Sequence, residues 1–257
     1  MKKLALTDFA KYRYPSALEL SPDSRYLTFA LKDVDREGDG YRWNLWLYDL
    51  ESRESRQITR GDHQRQAVWE DNTHILYKTT EPDEALRARG FEEEWTVYHR
   101  LNVCTGEDRE AFRLPMSVSG LWKMDEGRYV FTGETHLDRP NLLELTGEAL
   151  EKELVRRQQT RGYKVLTELP LCENGVGMFN QTRNTLFLYL EAAEEYRRIT
   201  PEDYDVNHVN VRPGQVLFTA FPFRDIKPVT EGMYRWDAER NETETLITPD
   251  KYSIDYV

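Results

Sequence analysis

The chain has 257 residues, 39% of them hydrophobic and 12% aromatic, which is enough for a globular core in one large domain or two small ones. Acidic residues outnumber basic ones by 46 to 35, a formal charge of −11, which argues against a phosphate-neutralising surface and against nucleic acid as a partner. No run approaches the roughly 18 uninterrupted apolar residues of a membrane helix, and Thr7, Asp8 and Lys11 interrupt any signal-peptide core. Two isolated cysteines, Cys104 and Cys172, lack metal-ligand spacing and read as reduced thiols, so a cytoplasmic location is expected.

Residues 3–12 predict a short leading helix with Thr7 as its N-cap, ended by Tyr14-Pro15. A first unit, 16–59, follows. Ala17–Leu20 is a strand, Ser21-Pro22-Asp23-Ser24 a turn with proline and aspartate in their favoured places, and Arg25–Leu31 a second strand. Lys32–Arg42 reads as a loop, and Trp43–Leu50 with Gln57–Thr59 completes the unit. The second unit, 66–115, repeats the opening with Trp69 and the turn Glu70-Asp71-Asn72, then carries a charged insertion over Pro82–Glu94. In the third, 117–200, Trp122 and Asp125-Glu126-Gly127 repeat the opening again. A helical insertion over 141–160 follows, rich in helix formers, with Leu150 and Leu154 one turn apart. Asn174-Gly175 and Gln181–Asn184 are turn signals around a strand centred on Val176–Phe179. The fourth unit, 205–248, turns at Pro213-Gly214, and 252–257 reads as the start of a further blade.

One design recurs through these units. Asn44–Thr59, Thr96–Leu114, Thr185–Thr200 and Gly232–Thr248 are each an aromatic-rich strand, a short charged turn and a closing strand. Repetition of such hairpins predicts an all-β fold, a partial, about four-bladed β-propeller with one helical insertion. Four irregular units and an orphan strand fit a ring lacking its second half better than a closed four-bladed ring. Self-association through open blade faces is the expected consequence.

The stretches LTDFAKYRYPSALELSPDSRYLTFALKD, NLWLYDLESRESRQIT and ELPLCENGVGMFNQTRNTLFLYL, in that order, resemble the N-terminal propeller of prolyl oligopeptidase-family serine peptidases, most of all the bacterial acylaminoacyl-peptidase-like branch. The resemblance runs from Leu4 to Val257. It implies a propeller that caps an α/β-hydrolase domain and screens peptide substrates by size. The serine nucleophile of that domain would lie at a G-x-S-x-G elbow. No such elbow occurs here; the lone Ser119-Gly120 pair opens a strand. The hydrolase domain is therefore absent from these residues, and no catalytic residue is assigned.

Other chemistry is sparse. The five histidines, His63, His74, His99, His136 and His208, lack metal-motif spacing, so neither a metal nor a cofactor is expected. Glu92, Glu93 and Glu94 are the candidate substrate-binding residues, because dipeptidyl-peptidase relatives hold a substrate's ammonium with a pair of propeller glutamates. The triplet stands in no recognisable motif, and a solvated acidic loop is the favoured reading over an ammonium clamp. Arg156-Arg157 and Arg197-Arg198 read as solubilising pairs. Trp46, Trp69, Trp95 and Trp122 read as packing residues, and Asn174-Gly175-Val176-Gly177 as a turn, too short for a phosphate loop. The leading expectation is thus a gating propeller with a hydrolase domain and peptides as partners. The alternative is a stand-alone propeller that binds a protein or peptide, and a complete small enzyme lacks a site.

Overall fold

The computed structural model describes residues 5–35, 40–163, 165–170, 172–173, 177–178, 180–250, 252 and 254. It is an all-β, partial propeller fold. Among the described residues, four four-stranded antiparallel sheets follow one another along the chain, with a helical insertion in the third. They fall into two compact units, Met1–Glu81 with Thr96–Arg113, and Pro82–Trp95 with Leu114–Val257. No helix among the described residues is long and apolar enough to cross a membrane.

The first unit begins with a 3-10 turn, Leu6–Lys11. Thr7 lies inside it rather than capping it. Asp8 does the capping instead, its carboxylate accepting the Ala5 N–H at 2.8 Å. The first sheet comprises β1 (Tyr14–Leu20), β2 (Tyr26–Asp35), β3 (Gly40–Asp49) and β4 (Ser55–Gln57), paired in that order. The expected loop at 32–42 is largely strand: Asp33 pairs with Arg42, Val34 with Tyr41 and Asp35 with Gly40. Polar side chains there mark an exposed ladder extension, not a break, because the backbone pairs whatever side chains it carries. The second sheet comprises β5 (Ala67–Trp69), β6 (His74–Pro82), β7 (Glu94–Asn102) and β8 (Asp108–Leu114). Ala30, Leu45 and Leu47 of the first sheet bury against Ala67, Trp69, Ile75, Tyr77, Leu101 and Val103. The Trp69 indole N–H also donates to the Glu19 carbonyl at 3.2 Å.

In the second unit the third sheet is built from β9 (Val118–Asp125), β10 (Arg128–His136), β13 (Thr182–Leu190) and β14 (Glu195–Arg198). Between β10 and β13 the chain makes a 3-10 turn at Leu142–Glu144, helix α2 (Gly147–Thr160) and a two-stranded hairpin, β11 (Cys172–Glu173) with β12 (Gly177–Met178). The predicted turn at Asn174-Gly175, and Val176 and Phe179 of the predicted strand, lie outside the described residues, as does most of 252–257. The fourth sheet comprises β15 (Tyr204–Arg212), β16 (Gln215–Pro222), β17 (Gly232–Asp237) and β18 (Glu242–Ile247). Met124, Val130, Leu186 and Leu188 of the third sheet pack against Val206, Val216, Phe218, Ala220, Tyr234 and Trp236 of the fourth.

The repeat has a physical basis in its hairpins. Asp49 accepts the N–H groups of Glu51 and Ser52, Asn102 those of Cys104 and Thr105, and Asp237 those of Glu239 and Arg240. Four residues beyond each stands a left-handed residue, Arg53 (φ 60°), Gly106 (φ 79°) and Asn241 (φ 53°). The third sheet keeps the left-handed position at Glu194 (φ 53°) but reaches it through a 3-10 turn after Leu190. Two closing strands, in the first and third sheets, run into Ile-Thr, at Ile58-Thr59 and Ile199-Thr200. Thr59 Oγ accepts the Leu45 N–H at 2.8 Å, and Thr200 Oγ the Leu186 N–H at 3.3 Å, satisfying buried donors where the closing strand leaves the ladder.

One ion pair ties the returning insertion down. Glu168 and Arg183 are both fully buried, with Arg183 Nη2 donating to Glu168 Oε1 at 2.5 Å and to the Phe223 carbonyl at 3.0 Å. The guanidinium lies 3.8 Å above the Phe223 ring, and Glu168 also accepts the Gln181 N–H at 2.7 Å. Beside it, Leu169 exchanges backbone hydrogen bonds with the 225–227 loop at 2.8 and 2.9 Å.

Two stability predictions follow from these contacts. Arg183→Met strands a buried carboxylate and should cost about 3–5 kcal/mol in urea denaturation, most of it recovered by Arg183→Met with Glu168→Leu. Gly106→Ala should cost about 1 kcal/mol for its left-handed backbone alone, while Gly162→Ala, free of that constraint and of nearby atoms, should be close to neutral.

Candidate functional site

The charged insertion at 82–95 is held against helix α2 within the second unit. Asp83 starts the short helix α1 (Glu84–Arg87) by accepting the Leu86 N–H at 2.9 Å, and its other oxygen accepts the Trp95 indole N–H at 3.1 Å. Leu86 then buries with Leu142 and Leu154, flanked by Phe91, Leu143, Leu145 and Leu150. Arg89 forks onto Glu151 with two bonds of 2.7 Å. Arg157 donates to Glu93 at 2.7 Å, to Glu153 at 3.0 Å and to the Pro140 carbonyl at 2.6 Å. The arginine pair 156–157 is therefore structural, not a solubilising pair: Arg156 also forks onto Glu153, with two bonds of 2.7 Å. These bonds, Arg156 foremost, hold the buried Glu153 carboxyl below its usual range against the opposing effect of burial.

This packing borders an open cavity of about 550 Å³, lined by residues of the second unit. Its aromatic wall is Phe187 on β13 and Tyr196 on β14, and Tyr196 stands edge-on to Phe187 at 5.6 Å. The Tyr196 hydroxyl donates to Glu144; burial and that carboxylate both raise its pKa. Met116 lies against Gly133, where a Cβ would meet its sulfur at 2.5 Å, so the glycine makes room for this part of the wall. Glu134 and His136, at the end of β10, are within 3.4 Å of each other. The hydrogen bond to His136 lowers the Glu134 pKa, outweighing burial. Arg139 Nη2 stands 3.0 Å from His136 Nε2, and the Thr182 hydroxyl 3.2 Å from Nδ1.

Glu92, Glu93 and Glu94 all line this cavity. Glu93 is engaged by Arg157. Glu92 and Glu94 are exposed and, among the described residues, pair with no cation. Arg198 also lines it, its guanidinium 5.8 Å from the Phe187 ring centre. Sequence reasoning did not find Tyr196, Phe187, Glu134, His136, Arg139 or Glu144. They come from segments far apart in the chain, and only the closing-strand position of Tyr196 in the repeat could have drawn attention to it.

The remaining sequence candidates lie elsewhere. Ser119 bonds Thr132 and Asn184 within its sheet, at 2.8 and 2.9 Å, and occupies no nucleophile elbow. Among the described residues no group of three or more His, Cys, Asp or Glu is placed to hold a metal ion. His99 stacks on Tyr77, and His74 Nδ1 lies 2.9 Å from Asp71. Burial raises the Asp71 pKa, but hydrogen bonds from Thr73 and His74 outweigh it and bring the carboxyl down to about 2. Trp69 is buried in its unit core, while Trp46, Trp95 and Trp122 are half-buried, Trp122 against the core of the second unit.

Among solved structures, the chain is similar to the acylaminoacyl peptidase of Pyrococcus horikoshii, with a TM-score of 0.61 and 13% identity over 93% of this chain and 33% of that one. An acylaminoacyl peptidase in complex with Z-Gly-Gly-Phe-chloromethyl ketone gives 0.63 and 12%, over 95% and 34%. Puromycin hydrolase gives 0.52 and 12%, over 94% and 30%. No family model and no curated protein matches the chain. The chain thus spans about a third of the length of these solved structures. At such identities the likeness is one of fold, and it is the fold that the sequence resemblance implies.

Glu153→Gln should lower stability by about 1–3 kcal/mol at neutral pH by weakening two charge-assisted contacts. Because the Glu153 carboxyl is held low, its contribution is present above the ordinary carboxylate range and fades as pH falls through its folded value. Denaturant midpoints of the two proteins should therefore converge as pH is lowered below the ordinary carboxylate range.

Proposed function

We propose that this chain is the non-catalytic propeller portion of a prolyl oligopeptidase-like serine peptidase, which gates peptide access to an α/β-hydrolase domain. The observation that carries the reading is coverage: peptidases of this fold match nearly the whole of this chain with only a third of their own length. Gating of this kind is steric. A propeller excludes large folded substrates by the width of its entrance and needs no reactive side chain to do so. The hydrolase domain supplies the serine nucleophile, and short peptides are the substrates. Glu92 and Glu94 are the carboxylates placed to meet a peptide ammonium, since Glu93 is spent on Arg157.

On this reading the chain alone leaves an acetylated tripeptide p-nitroanilide intact, whereas the parent polypeptide cleaves it. Deleting the propeller from the parent should open cleavage of an unfolded protein such as reduced casein, at least tenfold over the intact enzyme. Turnover by the chain alone, or unchanged size selectivity after deletion, would contradict the proposal.

A further inference from the structure

The cavity of the second unit holds charges of both signs, and most of them are already spent. Arg157 is saturated by Glu93, Glu153 and the Pro140 carbonyl. Glu144 holds the Tyr196 hydroxyl, and Glu134 faces His136. What is left is polar in the electrical sense. Glu92 and Glu94 offer two unpaired carboxylates from one segment. Arg198, on β14, lies over a ring face, and Arg139 reaches an imidazole nitrogen and feels the Glu134 carboxylate at longer range; neither pairs with a carboxylate within 4 Å among the described residues.

We propose that Arg139 and Arg198 form a carboxylate-binding pole, so that the cavity takes a short zwitterionic ligand by both its ends. A ligand of one charge would leave the opposite pole facing it without a partner, whereas an ammonium and a carboxylate on one molecule satisfy both. Guanidinium groups suit a carboxylate because their donors match its two oxygens. A cavity of about 550 Å³ lies within the usual range for small-molecule sites and has room for a short peptide. Phe187, Met116 and Leu143 supply apolar wall for a ligand side chain. Two free termini bound at once set an upper limit on length, which an ammonium site alone does not. The inference rests on the reading of Glu92 and Glu94 given above and adds the second pole to it.

Titration calorimetry on the whole chain tests it with four probes: alanyl-phenylalanine, its N-acetyl derivative, its C-terminal amide and free phenylalanine. The dipeptide should bind, and each capped form should bind about tenfold more weakly, as expected for loss of one charge-assisted contact. Arg198→Gln with Arg139→Gln should abolish the preference for acid over amide while keeping that for amine over acetyl. Glu92→Gln with Glu94→Gln should do the reverse. All four residues are exposed, so folding should survive, and a circular-dichroism melt checks it. Tighter binding of phenylalanine than of the dipeptide supports the zwitterion and assigns it to free amino acids. Equal binding of acid and amide overturns the carboxylate pole alone. Equal binding of amine and acetyl overturns the ammonium reading on which it rests, and absence of any binding overturns both.

Discussion

A buried ion pair fixes the part of the chain on which the candidate site depends. Glu168 lies on the segment that returns from the helical insertion, and Arg183 on the first turn of ladder that this segment feeds. Both are withdrawn from water, a costly arrangement offset by further hydrogen bonds, one to Glu168 from the Gln181 N–H and two from Arg183 to the Thr182 and Phe223 carbonyls. The pair fixes where the insertion ends, and α2, which precedes it, carries Arg157 and Glu151, which hold the 82–95 segment through Glu93 and Arg89. A buried pair is weak evidence for stability in itself. Its value here is positional: both terminal guanidinium nitrogens bond Glu168, while Nη1 also bonds the Thr182 carbonyl and Nη2 the Phe223 carbonyl, so the pair ties the returning segment to β13 and to the Phe223 backbone.

The cavity is the result of that positioning. Its wall combines the ends of β10, β13 and β14 with the segment at 92–94 and the turn at 140–144, none of which makes a site alone. The division of its charges into spent and unspent is also set locally. Arg157 points into a three-acceptor cradle made by Glu153 of its own helix, Glu93 of the 82–95 segment and the Pro140 carbonyl, while Arg198 projects from an exposed closing strand with a ring as its neighbour. The same residue type in two arginine pairs is therefore bonded to carboxylates in one and left without an ion pair, among the described residues, in the other.

The fold was legible in the sequence where local chemistry repeats. Alternating aromatic strands and short charged turns marked the four sheets; the Asp or Asn that bonds the turn recurs in the first, second and fourth, and the Ile-Thr hydroxyl bond in the first and third. The polar stretch at 32–42 misled because pairing there is a backbone property that side-chain polarity does not report. The site was less legible. Glu92, Glu93 and Glu94 could be singled out by composition, but what separates Glu93 from its neighbours is Arg157, more than sixty residues away. Tyr196, Glu134 and His136 carry no local motif, since their association comes from sheet register and from the insertion's path.

Steric gating, the reading that best joins this fold to the solved peptidases, places the chemistry outside these residues. The most direct measurement is therefore on the native polypeptide that carries this sequence, isolated with an antibody to it and measured by intact mass after reaction with a fluorophosphonate serine probe. The account predicts a polypeptide of which this chain is about a third, as it is 33% of the Pyrococcus horikoshii enzyme, carrying one probe adduct on a serine outside these residues. A native polypeptide of no more than 257 residues, unlabelled and without a labelled partner, would contradict it.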